Sequence, residues 1–162
     1  MPTFVLHVKA ELENVRTLSL QKSAHYCIDV KESAGSEQRD GVYVTANDTH
    51  ELSGSKGTAN FVMKFDKASK HEAYLNVLEI KGVTRDITEE DNGKWVPVIA
   101  FECRGLEPVA YHPEEEWAAV GGGGQKFDQV DLREDWADFD EKLGESVSVM
   151  GLESKFELHK GK

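Results

Sequence analysis

Apolar and polar residues alternate one by one along most of this chain, and the alternation breaks every few residues at clusters of Gly, Asn, Asp and Ser. Phe4, Leu6 and Val8 interleave with Val5, His7 and Lys9, and Tyr26, Ile28 and Val30 with Cys27, Asp29 and Lys31. A period of two marks a strand with one face buried. Further β-prone runs are Val42–Thr45, Asn60–Phe65, Tyr74–Ile80, Trp95–Cys103 and Ser146–Met150, and the tail alternates again at Phe156 and Leu158. Ala34-Gly35-Ser36, Ala46-Asn47-Asp48, Ser53–Gly57 and Asp91-Asn92-Gly93 supply turns between them. No segment sustains an apolar stripe at i, i+3, i+4, i+7 for more than about three turns. A short helix is expected at most over Glu114–Val120. The chain is therefore expected to be mainly β with little helix, as a sandwich or a partly open barrel.

Val5–Val15 and Ile99–Val109 read VLHVKAELENV and IAFECRGLEPV, so Leu12, Glu13 and Val15 recur as Leu106, Glu107 and Val109 at an offset of 94 residues. Both strings close on Leu-Glu-x-Val, as if two strands turned in the same way. This repeat suggests two similar antiparallel β halves, 1–90 and 95–162, joined across Glu89–Lys94 and packed as one compact unit.

The 162 residues carry 30 Asp and Glu against 19 Lys and Arg, a formal charge of −11. That balance repels phosphate, so nucleic acid and anionic membrane surfaces are not expected partners. A basic or neutral protein is. Cys27 and Cys103 are too few for a disulfide scaffold or a four-thiolate zinc site, which points to a reducing, cytoplasmic setting with free thiols. Polar residues interrupt every apolar run of the opening MPTFVLHVKAELENV, so neither a signal peptide nor a membrane span is expected. The expected state is a monomer.

Gly121–Gly124 precede Lys126, but Phe127 and Asp128 follow where a phosphate loop needs Ser or Thr and a helix, so a flexible surface loop is expected. The stretch Asp131–Glu145 holds seven carboxylates around Trp136 and Phe139. Its spacing does not match an EF-hand loop, and the expected state is an irregular segment pinned by the two aromatics. The six histidines form no zincin pair. His25 and Cys27, with Asp66 and His71, are the one combination that would make a mixed metal site. Cys103, beside Arg104, reads as a buried structural thiol. No nucleophile elbow, kinase set or Rossmann fingerprint occurs, so no catalytic residue and no cofactor is assigned.

Phe101-Glu102-Cys103-Arg104-Gly105-Leu106-Glu107-Pro108-Val109, followed by Trp136–Lys142 and Glu145-Ser146-Val147, resembles the eukaryotic CXXC-motif-containing zinc-binding protein family, as does the opening Lys9–Val15. The resemblance spans nearly the whole chain. It implies a small, mainly β intracellular protein with two similar halves and no established enzymatic activity. It also implies two CxxC pairs in the first half, and the corresponding positions here are Lys31 and Ala34, then Phe65 and Ala68. The leading expectation is a zinc-free variant acting as an interaction or scaffold module through an acidic face that includes Asp138, Asp140 and Glu141. The alternative is a metal-handling protein using His25, Cys27, Asp66 and His71 or the carboxylates. A third reading is a carboxylate-dependent hydrolase around Asp138 and Glu141.

Overall fold

Each strand must hand its backbone N–H and C=O groups to a neighbour, and here many of those neighbours lie far away in the sequence. The computed structural model describes residues 1–53, 56–66, 68 and 72–160. The first part holds β1 (Thr3–Glu13), β2 (Val15–Leu20), β3 (Tyr26–Glu32), β4 (Gln38–Val44), β5 (His50–Glu51), β6 (Thr58–Ala59), β7 (Phe61–Met63), β8 (Ala73–Leu78) and β9 (Ile87–Thr88). A single 3-10 turn, Glu89–Asp91, leads into the second part. There follow β10 (Val96–Arg104), β11 (Leu106–His112), β12 (Trp117–Gly121), β13 (Lys126–Val130), β14 (Trp136–Asp140) and β15 (Glu145–Leu158).

These strands form a six-stranded sheet in the order β14-β15-β1-β10-β8-β7, a four-stranded sheet β13-β12-β2-β9, a three-stranded sheet β11-β3-β4 and a two-stranded ladder β5-β6. The architecture is mainly β, as the alternation requires, and the described residues contain no α-helix. Strand β12, Trp117–Gly121, takes up most of Glu114–Val120, the segment expected to be at most a short helix. Trp117, Ala119 and Gly121 are buried in alternation with half-buried Ala118 and Val120, a period of two rather than 3.6. The runs at Ser146 and Phe156 are parts of one 14-residue strand, β15. It bends where Gly151 takes φ +62 and the register with β1 shifts.

The two parts are interleaved. β1 lies antiparallel to β10, Phe4 opposite Phe101, and its other neighbour is β15. β10 has β8 as its other neighbour. β2 pairs with β12, and β11 with β3. The hairpins β3–β4 and β7–β8 are answered by β12–β13 and β14–β15.

After each central strand the chain turns a corner through a left-handed residue, Asn14 (φ +56) after β1 and Gly105 (φ +77) after β10. Each corner carbonyl accepts a backbone bond from a hairpin turn, from Gly122 N–H at 2.8 Å and from Ser33 N–H at 3.1 Å. The corners are offset by 91 residues, not 94. Leu12 therefore sits before its corner and Leu106 after its own, so the repeated Leu-Glu-x-Val strings are not equivalent in space.

The core runs between the sheets, with Leu6, Leu18, Ile28, Leu75, Phe101, Leu106 and Trp117 fully buried. Phe101 meets Tyr26 edge-on at 6.4 Å and Phe156 at 5.8 Å. Cys103 is buried among them, and burial pushes its thiol up to about 12.

Gly105 tests the corner. A Cβ there would lie 3.2 Å from Ala73 Cβ and 3.3 Å from Ala73 Cα, on top of the left-handed φ. Gly105→Ala is expected to cost about 1–3 kcal/mol in urea unfolding, whereas alanine at solvent-facing Gly82, where a Cβ meets nothing within 4 Å, carries only the strain of its φ.

Candidate functional site

Two pairs of hairpin turns are the places where this fold concentrates chemistry. In the first pair, the turn after β3 lies beside the segment after β7. Lys31 is exposed on β3, Ala34 is exposed in the turn, and Ala68 is exposed with its N–H donating to Asp66 Oδ1 at 3.0 Å. Phe65 turns inward and joins the core, 9% exposed. Arg39 on β4 donates from Nη2 to the Phe65 carbonyl at 3.0 Å and so ties the two hairpins together. Burying a phenyl ring is worth roughly 1.5–3 kcal/mol, so this junction is closed by apolar packing and one charged hydrogen bond.

The combination His25, Cys27 and Asp66 does not assemble. His25 is exposed just before β3, Cys27 is buried on β3 beside Tyr43, and Asp66 is spent on its own turn. His71 lies outside the described residues. Among the described residues no three His, Cys, Asp or Glu side chains gather as a metal site. Burial pushes the Cys27 thiol up and Glu114 adds to it, which keeps it protonated and poorly suited as a ligand.

In the second pair, the β12–β13 turn presses against the β14–β15 turn, and a buried carboxylate lies between them. Asp140 accepts from Gly123 N–H at 2.9 Å, Lys142 N–H at 2.9 Å and Leu143 N–H at 3.0 Å. Gln125 Oε1 accepts from Glu141 N–H at 2.7 Å, and Arg16 donates to the Gly122 carbonyl at 2.7 Å. Burial alone would raise the Asp140 carboxyl, but the backbone N–H groups of Leu143, Gly123 and Lys142 outweigh it and hold it below the usual carboxylate range.

The glycine run exists for this contact. A Cβ on Gly121 would sit 2.2 Å from Asp140 Oδ2, and one on Gly123 would sit 2.5 Å from Leu143 N. It is a pinned turn rather than a flexible surface loop. Asp138, Asp140 and Glu141 accordingly do not share a face: Asp140 is buried and structural, while Asp138 and Glu141 are exposed. Nor do Asp138 and Glu141 converge as a hydrolytic pair would, since Asp138 caps the N–H of Phe139 at 2.7 Å.

A third polar centre was missed by sequence reading. Glu116 is 5% exposed, takes the hydroxyl hydrogen of Tyr111 and accepts from Glu114 N–H at 2.7 Å, while Trp117 Nε1–H donates to the Tyr111 oxygen at 3.0 Å. Burial pushes the Glu116 carboxyl up and the Tyr111 hydroxyl well up. An open cleft of about 290 Å³ above it is lined by His25, Glu114, Glu115, Glu116 and Gln129, the last in a left-handed conformation. Every polar atom of Glu116 already has a partner, so the arrangement braces the β11–β12 junction. The only signal in the sequence was a carboxylate directly before a tryptophan.

The model for the family described as CXXC motif containing zinc binding protein, eukaryotic, matches residues 5–157. The chain belongs to that family. It is 35% identical over 156 residues to the Bos taurus protein named CXXC motif containing zinc binding protein, covering 93% of this chain and 95% of the bovine one. The Homo sapiens protein of the same name is 32% identical over 161 residues, 96% of this chain and 98% of the human one. Among solved structures, a hypothetical protein from Plasmodium falciparum superposes with a TM-score of 0.89 at 28% identity, covering 97% of this chain and 100% of that one. C1orf123 superposes with a TM-score of 0.86 at 31% identity, covering 97% and 99%.

The motif in the family's name is absent here, because Cys27 and Cys103 are the only cysteines. At the positions the family resemblance assigns to thiolates stand Lys31, Ala34, Phe65 and Ala68, which offer two methyls, a phenyl ring and a lysine side chain in place of four sulfur donors.

The Asp140 junction makes a testable statement about pH. Its carboxyl is held below its unfolded value, so the stabilisation is present above about pH 4 and is lost as pH falls further. Asp140→Asn is expected to melt well below the wild type at pH 7, with the gap narrowing below pH 4. Asp138→Asn should melt with the wild type throughout. Thermal melts of the three proteins across this range check it.

Proposed function

We propose that this chain is a metal-free member of its family, acting in the cytosol as a monomeric, non-enzymatic interaction module. The observation that carries the metal-free reading is Phe65. Its ring belongs to the core at a position the family resemblance assigns to a thiolate, and Arg39 donates to its carbonyl across the hairpin junction. A chain of this length has core enough to dispense with a metal staple.

The interaction reading draws on charge. A surface at −11, with Asp138 and Glu141 exposed beside Glu134 and Asp135, steers basic partners toward it and rejects acidic ones. No described helix is long and apolar enough to cross a membrane.

Elemental analysis of protein purified without metal-affinity steps should find far less than one zinc per chain, and chelator should leave the melting temperature unchanged. The quadruple variant Lys31→Cys, Ala34→Cys, Phe65→Cys, Ala68→Cys should acquire one zinc and become chelator-sensitive. A stoichiometric zinc in the native protein, lost together with stability on chelation, would overturn the metal-free reading.

A further inference from the structure

We propose that the outward face of β1, β15 and β14 is a docking groove for an extended basic segment of a partner protein, with one apolar side chain of that segment seated between Met150 and Phe139. This deepens the interaction reading above and rests on it.

The face follows from register. Glu11 lies opposite Met150 and Glu13 opposite Ser148, while Ser148 lies opposite Ala137 and Ser146 opposite Phe139. Directly paired residues project to the same side of a sheet, so these seven side chains share one surface. Ser148 is 8% exposed and forms a low floor with Ala137. Met150 and Phe139 rise on either side, 42% and 48% exposed. The open groove beside β1 has a volume of about 290 Å³, and its lining includes Asn92, whose Oδ1 accepts the Leu12 N–H at 2.8 Å.

Small residues between two exposed large apolar ones leave a slot with nothing to cover it. Packing one leucine-sized side chain there recovers apolar area from both walls. The rim decides the occupant. Glu11 and Glu13 are exposed, and neither is ion-paired among the described residues. No Lys or Arg lines the part of the groove beside β1, between Glu11 and Met150. A segment with cationic residues flanking its apolar anchor complements this surface in charge and in shape. A second copy does not, because a two-fold contact would set Glu11 and Glu13 against the same carboxylates on a protein of equal −11 charge.

The test uses the full chain and two labelled peptides, Lys-Arg-Lys-Leu-Lys-Arg-Lys and the same peptide with alanine at its centre, read by fluorescence anisotropy. The leucine peptide is expected to bind about tenfold more tightly than the alanine peptide, the difference that about two buried methylenes supply. Ala137→Arg, which puts a cation on the floor, should weaken the leucine peptide by about tenfold or more, and Glu11→Gln with Glu13→Gln should weaken it several-fold and flatten its salt dependence. Both variants alter exposed residues and should melt with the wild type.

Equal binding of the two peptides, no binding of either, or affinities unmoved by both groove variants would overturn the proposal. If Asp138→Asn with Glu141→Gln weakens binding while the groove variants do not, the groove fails and the broader acidic-surface reading stands. A dimer in sedimentation that Ala137→Arg splits into monomers would give the face to a second copy and also overturn it.

Discussion

Phe4 faces Phe101 across the ladder that joins β1 to β10, and the other sheets are arranged by what happens at the ends of these two strands. Both are central, with a paired strand on each side over part of their length. A left-handed residue at each end then lifts the chain out of the plane, Asn14 in one case and Gly105 in the other. The strands that follow, β2 and β11, begin new sheets, and each recruits a hairpin from the other part of the chain. The interleaving of the two parts is thus a consequence of two backbone conformations placed at matching points on an antiparallel pair.

The strands were legible because most of them bury one face, which writes a period of two into Phe4–Lys9 and Tyr26–Lys31. The family was legible in Phe101–Val109 and Trp136–Lys142. The equivalence of the corners was not, because a left-handed φ is a backbone property that Asn14 and Gly105 reach from different side chains. The shared Leu-Glu-x-Val letters drew the eye to the wrong register. Asp140 was also hidden. Among so many carboxylates it looks like one more solvated charge, and its burial depends on a turn 17 residues earlier in the chain folding back onto it. The glycines of that turn carry the complementary signal, but only once the approach of the second turn is known.

The two hairpin junctions show different solutions to one packing problem. By the pairing pattern β14 answers β7, and the β12–β13 turn answers the β3–β4 turn. Phe65 follows the end of β7 and fills its junction with an apolar ring, while Asp140 ends β14 and fills its junction with a charge held by amide dipoles. The ring depends little on pH and tolerates imprecise neighbours. The carboxylate needs three donors aimed at it and glycines that let them come close. Two solved structures share this fold at TM-scores of 0.89 and 0.86.

The ladder between β1 and β15 sets the order of events during synthesis. β15 follows β1 with thirteen strands between them, so the edge of β1 that it covers stays open until all of those have been made. Contacts that span so much sequence form slowly, and an open strand edge is what aggregation templates use. Lys9 and Glu11 on β1 keep that waiting edge charged. The architecture therefore leaves a strand edge unpaired during synthesis for longer than a chain of sequential domains would.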